Sequence, residues 1–224
     1  MFDETNAFCI SIFGRGDARW EKMVGRFDRL GFRATRWSAA TEGRDRFHGA
    51  LSPGERGCAQ SHIDLWRHIV QQNIPYALIM EDDACFDWDW RARLSELGGG
   101  EGLGSLGGGG GGGEIDLILL NASEPMDTLF QWSNVTEQYL TGAYIITLRG
   151  AQRILDMFSS SQFYAADWMT TRFQLAFRST VSYFPWIVIQ DGEDSMIRSD
   201  ISADRAKVLR CLRACGYLLT HYCI

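Results

Sequence analysis

Short apolar runs alternate along this chain with longer stretches whose apolar residues recur every three or four positions, the pattern of strands feeding helices. Ala7–Phe13 (AFCISIF) predicts a first strand, and Gly14-Arg15-Gly16-Asp17 a turn. Over Arg19–Leu30, residues Trp20, Met23, Val24, Phe27 and Leu30 share one helical face, and Gly31 ends the helix. Phe32–Ser38 predicts a second strand and Asp45–Ala50 a loop. Ser52, Pro53 and Glu55 supply an N-cap, a first-turn proline and the third-position acid of a capping box. Ala59, Ile63, Trp66, Ile69 and Val70 follow helical spacing, and Asn73 with Pro75 stops that helix. Tyr76–Met80 is an apolar run that predicts a buried strand.

That run ends in Glu81, Asp82 and Asp83. Burying three unpaired charges is very costly, so this tip does not belong to the core. In an open α/β sheet it faces the ligand crevice. Side chains alternate along a strand, which puts Glu81 and Asp83 on one side and Asp82 on the other. The arrangement suits a hard divalent cation, whose ligands are oxygens. The plainer reading is an acidic loop after a core strand. His62, on the preceding helix, either touches this site or is a satisfied helical histidine. His68 is expected at the surface.

Further on, a short helical stretch runs to Leu97. Residues 98–113 are glycine-rich and read as a flexible insert, because ordering so many glycines is entropically prohibitive. Ile115–Leu120 predicts a strand with polar Asn121 at its tip, and Gln131–Gln138 a loop. Leu140–Leu148 predicts a strand, followed by a helix over Arg149–Phe158 with Ala151, Ile154, Leu155 and Phe158 on one face. Asp167 is placed to N-cap the next helix. Val181–Ile189 holds strand material around Pro185, and Ala203–Ala214 a terminal helix. Strand and helix alternate throughout, which argues for an α/β sandwich with a mostly parallel central sheet in one domain spanning residues 1–224.

Composition adds limits. At 224 residues and 46% hydrophobic, the chain can bury a sizeable core. A net charge of −6 leaves no basic footprint for nucleic acid. All but Lys22 and Lys207 of the 22 basic residues are Arg, the better bidentate phosphate partner, although a coding bias explains that equally well. The amino terminus lacks a basic leader and no stretch reaches membrane-span length, so the sequence reads as cytoplasmic, or as a domain of a longer protein, with peripheral membrane contact open. The six cysteines are expected as thiols. Cys211, Cys215, His221 and Cys223 match no common zinc spacing.

Two blocks, GERGCAQSH and MEDDACF, separated by a helix and a strand, resemble glycosyltransferase family 25. Ala39–Gly43, the TGAYIIT block, Asp167 and the Gln190–Ser199 segment also resemble family positions, with Thr147 in place of the usual serine. The match at Gly14–Arg19 is loose, because Ala18 separates Asp17 from Arg19. The resemblance implies a GT-A-like fold and inverting transfer of galactose from UDP-galactose to a saccharide acceptor such as lipooligosaccharide. It implies Mn2+ or Mg2+ on Asp83, with Asp82 a second ligand. It implies nucleotide contacts from Phe13, Arg15, Arg19, Glu81, Asp82, Gln190, Ser195 and Arg198. One carboxylate must act as base: Asp167 leads, with Asp191 and Asp194 behind it. Two other readings stand beside this one. The first is an inactive member of the fold that binds a glycan or a protein. The second is a different metal-dependent nucleotidyl or phosphoryl transferase, which the lack of a Gly-rich loop with Lys disfavours.

Overall fold

The computed structural model describes residues 2–97, 114–191 and 201–224, with the backbone alone for 201–205. The glycine-rich stretch 98–113 and the candidates Asp194, Ser195 and Arg198 lie outside the described residues. In chain order the elements are β1 (Ala7–Ser11), α1 (Ala18–Leu30), β2 (Thr35–Ser38), α2 (Pro53–Gln71), β3 (Tyr76–Glu81), β4 (Ala84–Phe86) and α3 (Trp90–Leu97). They continue with β5 (Leu117–Leu119), β6 (Gln131–Asn134), β7 (Ala143–Thr147), α4 (Leu148–Phe158), α5 (Ala166–Phe177), β8 (Thr180–Phe184), β9 (Val188–Gln190) and α6 (Ile201–Ala214).

The main sheet has seven strands in the order β2-β1-β3-β7-β5-β8-β6. β2, β1, β3, β5 and β8 point the same way, while β7 and β6 run against their neighbours. This is the mostly parallel sandwich that the alternation predicts. Both faces are covered, so the central strands are apolar along most of their length. Phe8, Ile10, Ala77 and Ile79 pack under Ile63, Trp66, Ile154 and Met169 of α2, α4 and α5. Ala7, Cys9, Leu78 and Met80 pack on the opposite face with Met23, Phe27, Phe86 and Trp90. Beyond the sheet, β4 pairs with β9, antiparallel, as a small ribbon. The tail closes over it: Cys223 N–H donates to Phe86 O at 2.8 Å and Trp88 N–H to His221 O at 2.9 Å. No helix among the described residues is long and apolar enough to cross a membrane.

Three local expectations need correction. Gln131–Asn134 is not loop but edge strand β6, antiparallel to β8. Its half-exposed sequence, QWSN, carries no buried alternation to betray it. Asp167 does not cap α5: the cap position is Ala165, without a side-chain bond, and Asp167 sits inside the first turn. His68 is not a free surface residue, since its ring packs edge-on against Phe8 at 5.5 Å and against Trp37 at 5.2 Å.

Candidate active site

The site is built where α2 and three strand tips meet, and the GERGCAQSH stretch builds one wall residue by residue. Ser52 and Glu55 close the expected capping box, with Ser52 N–H donating to Glu55 Oε2 at 2.8 Å and Glu55 N–H to Ser52 Oγ at 3.3 Å. Gly57 lets the helix approach the 40–42 backbone, since a Cβ there would sit 2.5 Å from Ala40 O. Gln60 is buried and ties the next loop: its Oε1 accepts from Arg44 N–H at 2.8 Å and Asp45 N–H at 2.9 Å. Ser61 Oγ accepts from Ala40 N–H at 2.9 Å. One helix face thus fixes residues 40–45 while the next turn carries His62 toward the acids.

The three acids divide as strand alternation requires. Glu81 and Asp83 share a partner, because Gln190 Nε2 lies 3.3 Å from Glu81 Oε2 and 3.0 and 3.2 Å from the two Asp83 oxygens. Asp82 faces the other way. Ser11 Oγ donates to its Oδ2 at 2.5 Å, and Arg19 reaches its Oδ1 through Nε at 2.8 Å and Nη2 at 2.6 Å. Asp83 is 8% exposed, and burial with the neighbouring Glu81 charge pushes its carboxyl up to about 7. Gln190 and Arg19 work against that rise, and Asp191 adds to it. Beneath the acids the buried Cys9 thiol is held well above its ordinary range by burial and by the charges of Asp82, Asp83 and Glu81.

Gly142 allows a second close approach. A Cβ there would lie 2.6 Å from Gln190 Cδ and 2.8 Å from Asn121 Nδ2, so both amides crowd over bare backbone beside Glu81. His62 is fully buried on α2, with Nδ1 2.9 Å from the Tyr144 hydroxyl and Nε2 3.6 Å from Glu81 Oε1. Cys58, one turn before it, completes a group whose ligand atoms with His62 and Glu81 lie within 4.8 Å of one another. Burial raises the Cys58 thiol well above its ordinary range, and Glu81, Asp167 and Glu55 raise it further. The half-buried Asp167 carboxylate, in the first turn of α5, accepts from Trp168 N–H at 2.8 Å.

The remaining candidates divide. Phe13 and Arg19 come together, with the guanidinium 5.5 Å from the ring centre, and Arg36 Nη1 holds Phe13 O at 2.7 Å. Arg15 is exposed on the turn before α1. Asp191 is buried, and its Oδ2 pairs with the fully buried Arg26 and with Lys22 at 3.0 Å. Its backbone N–H donates to Asp83 O at 3.0 Å, so it braces the acid tip from behind. Sequence reasoning missed Gln60, Ser61, Lys22, Arg26 and Tyr144 as parts of the site. The contacts described above span 15 to 169 positions and leave no local spacing signal, although Asn121 was marked by its place at a strand tip.

A crevice with two carboxylates on one side, a flanking carboxylate at a helix start and arginine near a glycine-containing turn can hold a cation and a phosphate-bearing ligand. Residues 39–99 match the model of the family described as glycosyltransferase family 25 (LPS biosynthesis protein). Procollagen galactosyltransferase 1-B of Xenopus laevis is 30% identical over 122 residues, which are 50% of this chain and 19% of that protein. Procollagen galactosyltransferase 2 of Homo sapiens is 26% identical over 111 residues, 47% of this chain and 17% of that protein. A glycosyltransferase 25 family member of Drosophila melanogaster is 27% identical over 175 residues, 66% of this chain and 27% of that protein. The chain spans less than a third of the length of each of these relatives.

Proposed function

We propose that the chain, which resembles glycosyltransferase family 25 over residues 39–99, is a metal-dependent inverting glycosyltransferase that moves galactose from UDP-galactose to a saccharide acceptor. The observation that carries this reading is the shared amide. Gln190 sets one N–H donor group within 3.0 to 3.3 Å of three oxygens of Glu81 and Asp83, where a cation would answer the same two charges. The acids fit a hard divalent ion, since Glu81 and Asp83 offer it only carboxylate oxygens. Asp83 is the ligand, and Glu81 supplies the second negative charge beside it. Asp82, with its oxygens engaged by Ser11 and Arg19, serves instead to hold Arg19. A bound Mn2+ or Mg2+ stabilises the charge that develops on a departing nucleoside diphosphate.

The chain's own residues do the rest. Arg15, on the turn before α1, and Arg19, in its first turn, lie where a helix N-terminus favours phosphate. Phe13, beside Arg19, offers an apolar ring to the uracil. Asp167, in the first turn of α5, takes the proton of the acceptor hydroxyl as it attacks, which a single inverting displacement requires. Asp191 is committed to Arg26 and Lys22, so it supports the acid tip and not the proton transfer. The test is a nucleotide-sugar screen that follows UDP release with a saccharide acceptor, with manganese and with excess chelator. Release that depends on manganese and is greatest with UDP-galactose is the expected result. Full release in chelator ends the metal claim, and no release from any nucleotide sugar ends the transferase reading.

A further inference from the structure

An exposed aromatic side chain on the segment before β7 is presented by buried polar groups and a strained backbone. Tyr139 is 46% exposed, and no hydrogen bond or ring contact holds its side chain among the described residues. The residue before it is fixed through its backbone and its side chain. Gln138 N–H donates to Gln174 Oε1 at 2.9 Å, and Gln138 O accepts from Gln174 Nε2 and Thr171 Oγ1, each at 2.8 Å. Gln138 Oε1 accepts from Glu124 N–H at 3.0 Å, and Tyr139 N–H donates to Ser123 Oγ at 3.1 Å. Thr171 and Gln174 are buried, so two interior polar groups of α5 are committed to one loop residue. On either side of this pair the backbone is strained. Glu137 has φ 61° and Leu140 φ 95°, a region that a side chain as bulky as leucine rarely enters. Such strain persists where the surroundings impose it, and it gathers at functional sites.

The topology says which part of the site this ring flanks. β1 and β7 lie on opposite sides of β3. β1 is parallel to β3 and β7 antiparallel, so the end of β1 and the start of β7 both meet the acid tip, with Ile10 beside Glu81 and Ala143 beside Met80. Phe13 and Arg19, the residues read above as nucleotide contacts, follow β1. Tyr139 precedes β7, and its loop runs straight into the acids: Glu81 N–H donates to Gly142 O at 2.9 Å, and Thr141 Oγ1 lies 3.5 Å from Glu81 Oε1. The same loop is tied to α5 one turn after Asp167, because Thr171 Oγ1 is 2.8 Å from Asp167 O as well as from Gln138 O. The tyrosine therefore stands on the flank of the proposed base, across β3 from the proposed nucleotide contacts.

An inverting displacement brings the acceptor in from the side away from the departing nucleotide. A sugar ring has a face of C–H bonds and a rim of hydroxyls. A tyrosine matches both, with a flat apolar face and a hydroxyl at its edge. Held by a rigid loop, it offers that area at little cost in conformational freedom. Exposed Glu137, two residues away, disfavours an anionic ligand. We infer that Tyr139 is the platform on which a neutral sugar ring of the acceptor stacks, a specificity-determining residue for acceptor and not for donor. This rests on the reading above that the site transfers a sugar to a saccharide.

The test is saturation-transfer NMR with the methyl glycosides of glucose, galactose and N-acetylglucosamine, in the presence of UDP and manganese, on the wild type, Tyr139→Ala and Tyr139→Phe. Calorimetry measures UDP-galactose affinity for all three proteins. At least one glycoside is expected to bind the wild type, and to bind Tyr139→Ala about tenfold more weakly because the stacking face is gone. Tyr139→Phe keeps that face and is expected to stay near wild type. UDP-galactose should bind all three alike, and their melting points should agree, since the ring packs into no core. A Tyr139→Ala protein that binds every glycoside as the wild type does overturns the platform. So does a wild type that binds none, or a loss shared by UDP-galactose. A Tyr139→Phe protein as weak as the alanine variant also overturns it, because the contact would then belong to the hydroxyl alone. A wild type that binds a glycoside through Tyr139 but no nucleotide sugar leaves the platform standing and overturns the transferase reading.

Discussion

Asp83→Asn removes the one carboxyl that burial and Glu81 push up to about 7. Its ordinary value is 3.8, so between those two pH values the unfolded chain has released the Asp83 proton while the folded chain keeps it. The folded state binds more protons in that window, and stability must fall as pH rises through it. At about 1.4 kcal/mol per pH unit, the full penalty by pH 8 is up to about 4 kcal/mol. Asn has nearly the same shape, offers a carbonyl to the Gln190 N–H and carries no charge to desolvate. In chelator at pH 8 the variant should melt higher than wild type by about 5 °C or more, given about 2–4 °C per kcal/mol for a chain of this size. Near pH 4 the two should melt together. Manganese should raise the wild-type midpoint and leave the variant almost unmoved. The assay is thermal unfolding at two pH values, each with chelator and with manganese. A variant no more stable than wild type at pH 8 in chelator, or one protected by manganese to the same extent, refutes the reasoning.

Other predictions follow from neighbouring groups. Manganese affinity should drop about tenfold per pH unit below about 7, because the cation competes with the Asp83 proton, and titration calorimetry at pH 5.5, 6.5 and 7.5 reads it. Asp167→Asn should cost on the order of a hundredfold in turnover with UDP-galactose affinity retained, since a base acts on the acceptor side; normal turnover removes Asp167 from that role. Gly57→Ala should destabilise the protein by about 2 kcal/mol in urea unfolding, because the new methyl would sit 2.5 Å from a backbone oxygen that cannot move as freely as a side chain. Arg26→Met should cost about 3 kcal/mol by the same assay, since it leaves buried Asp191 with Lys22 as the remaining partner among the described contacts; a loss below about 0.5 kcal/mol would show that Lys22 suffices.

Much of the fold was legible because the central strands are buried on both faces. Runs such as Tyr76–Met80 must then be apolar at every position, and the helices between them must carry one apolar stripe. The edge strand β6 was not legible, because half its side chains face water and pairing with β8 leaves no mark on composition. Of the candidate site, the split of Glu81 and Asp83 from Asp82 follows from strand alternation alone. The roles of Asp191 and His62 do not. The partners of Asp191, Arg26 and Lys22, lie far away in sequence, and a carboxylate in a polar stretch looks solvated until they are in place. His62 reads like any helical histidine until β7 brings up Tyr144.

The strand order has a consequence for how the chain is made. β3 ends in the acids, yet β7, its partner on one side, is synthesised more than sixty residues later, after β5 and β6. Until then the apolar edge of β3 has β1 alone beside it. A nascent chain halted just after residue 99 would already contain the whole stretch that matches the family model, Glu81 to Asp83 included. It would still lack Asn121, Tyr144, Asp167 and Gln190, and it would expose a bare strand edge to any neighbour that could pair with it. The crevice therefore comes into being only once the chain has been made as far as Gln190, and until β7 is made β3 keeps one edge uncovered.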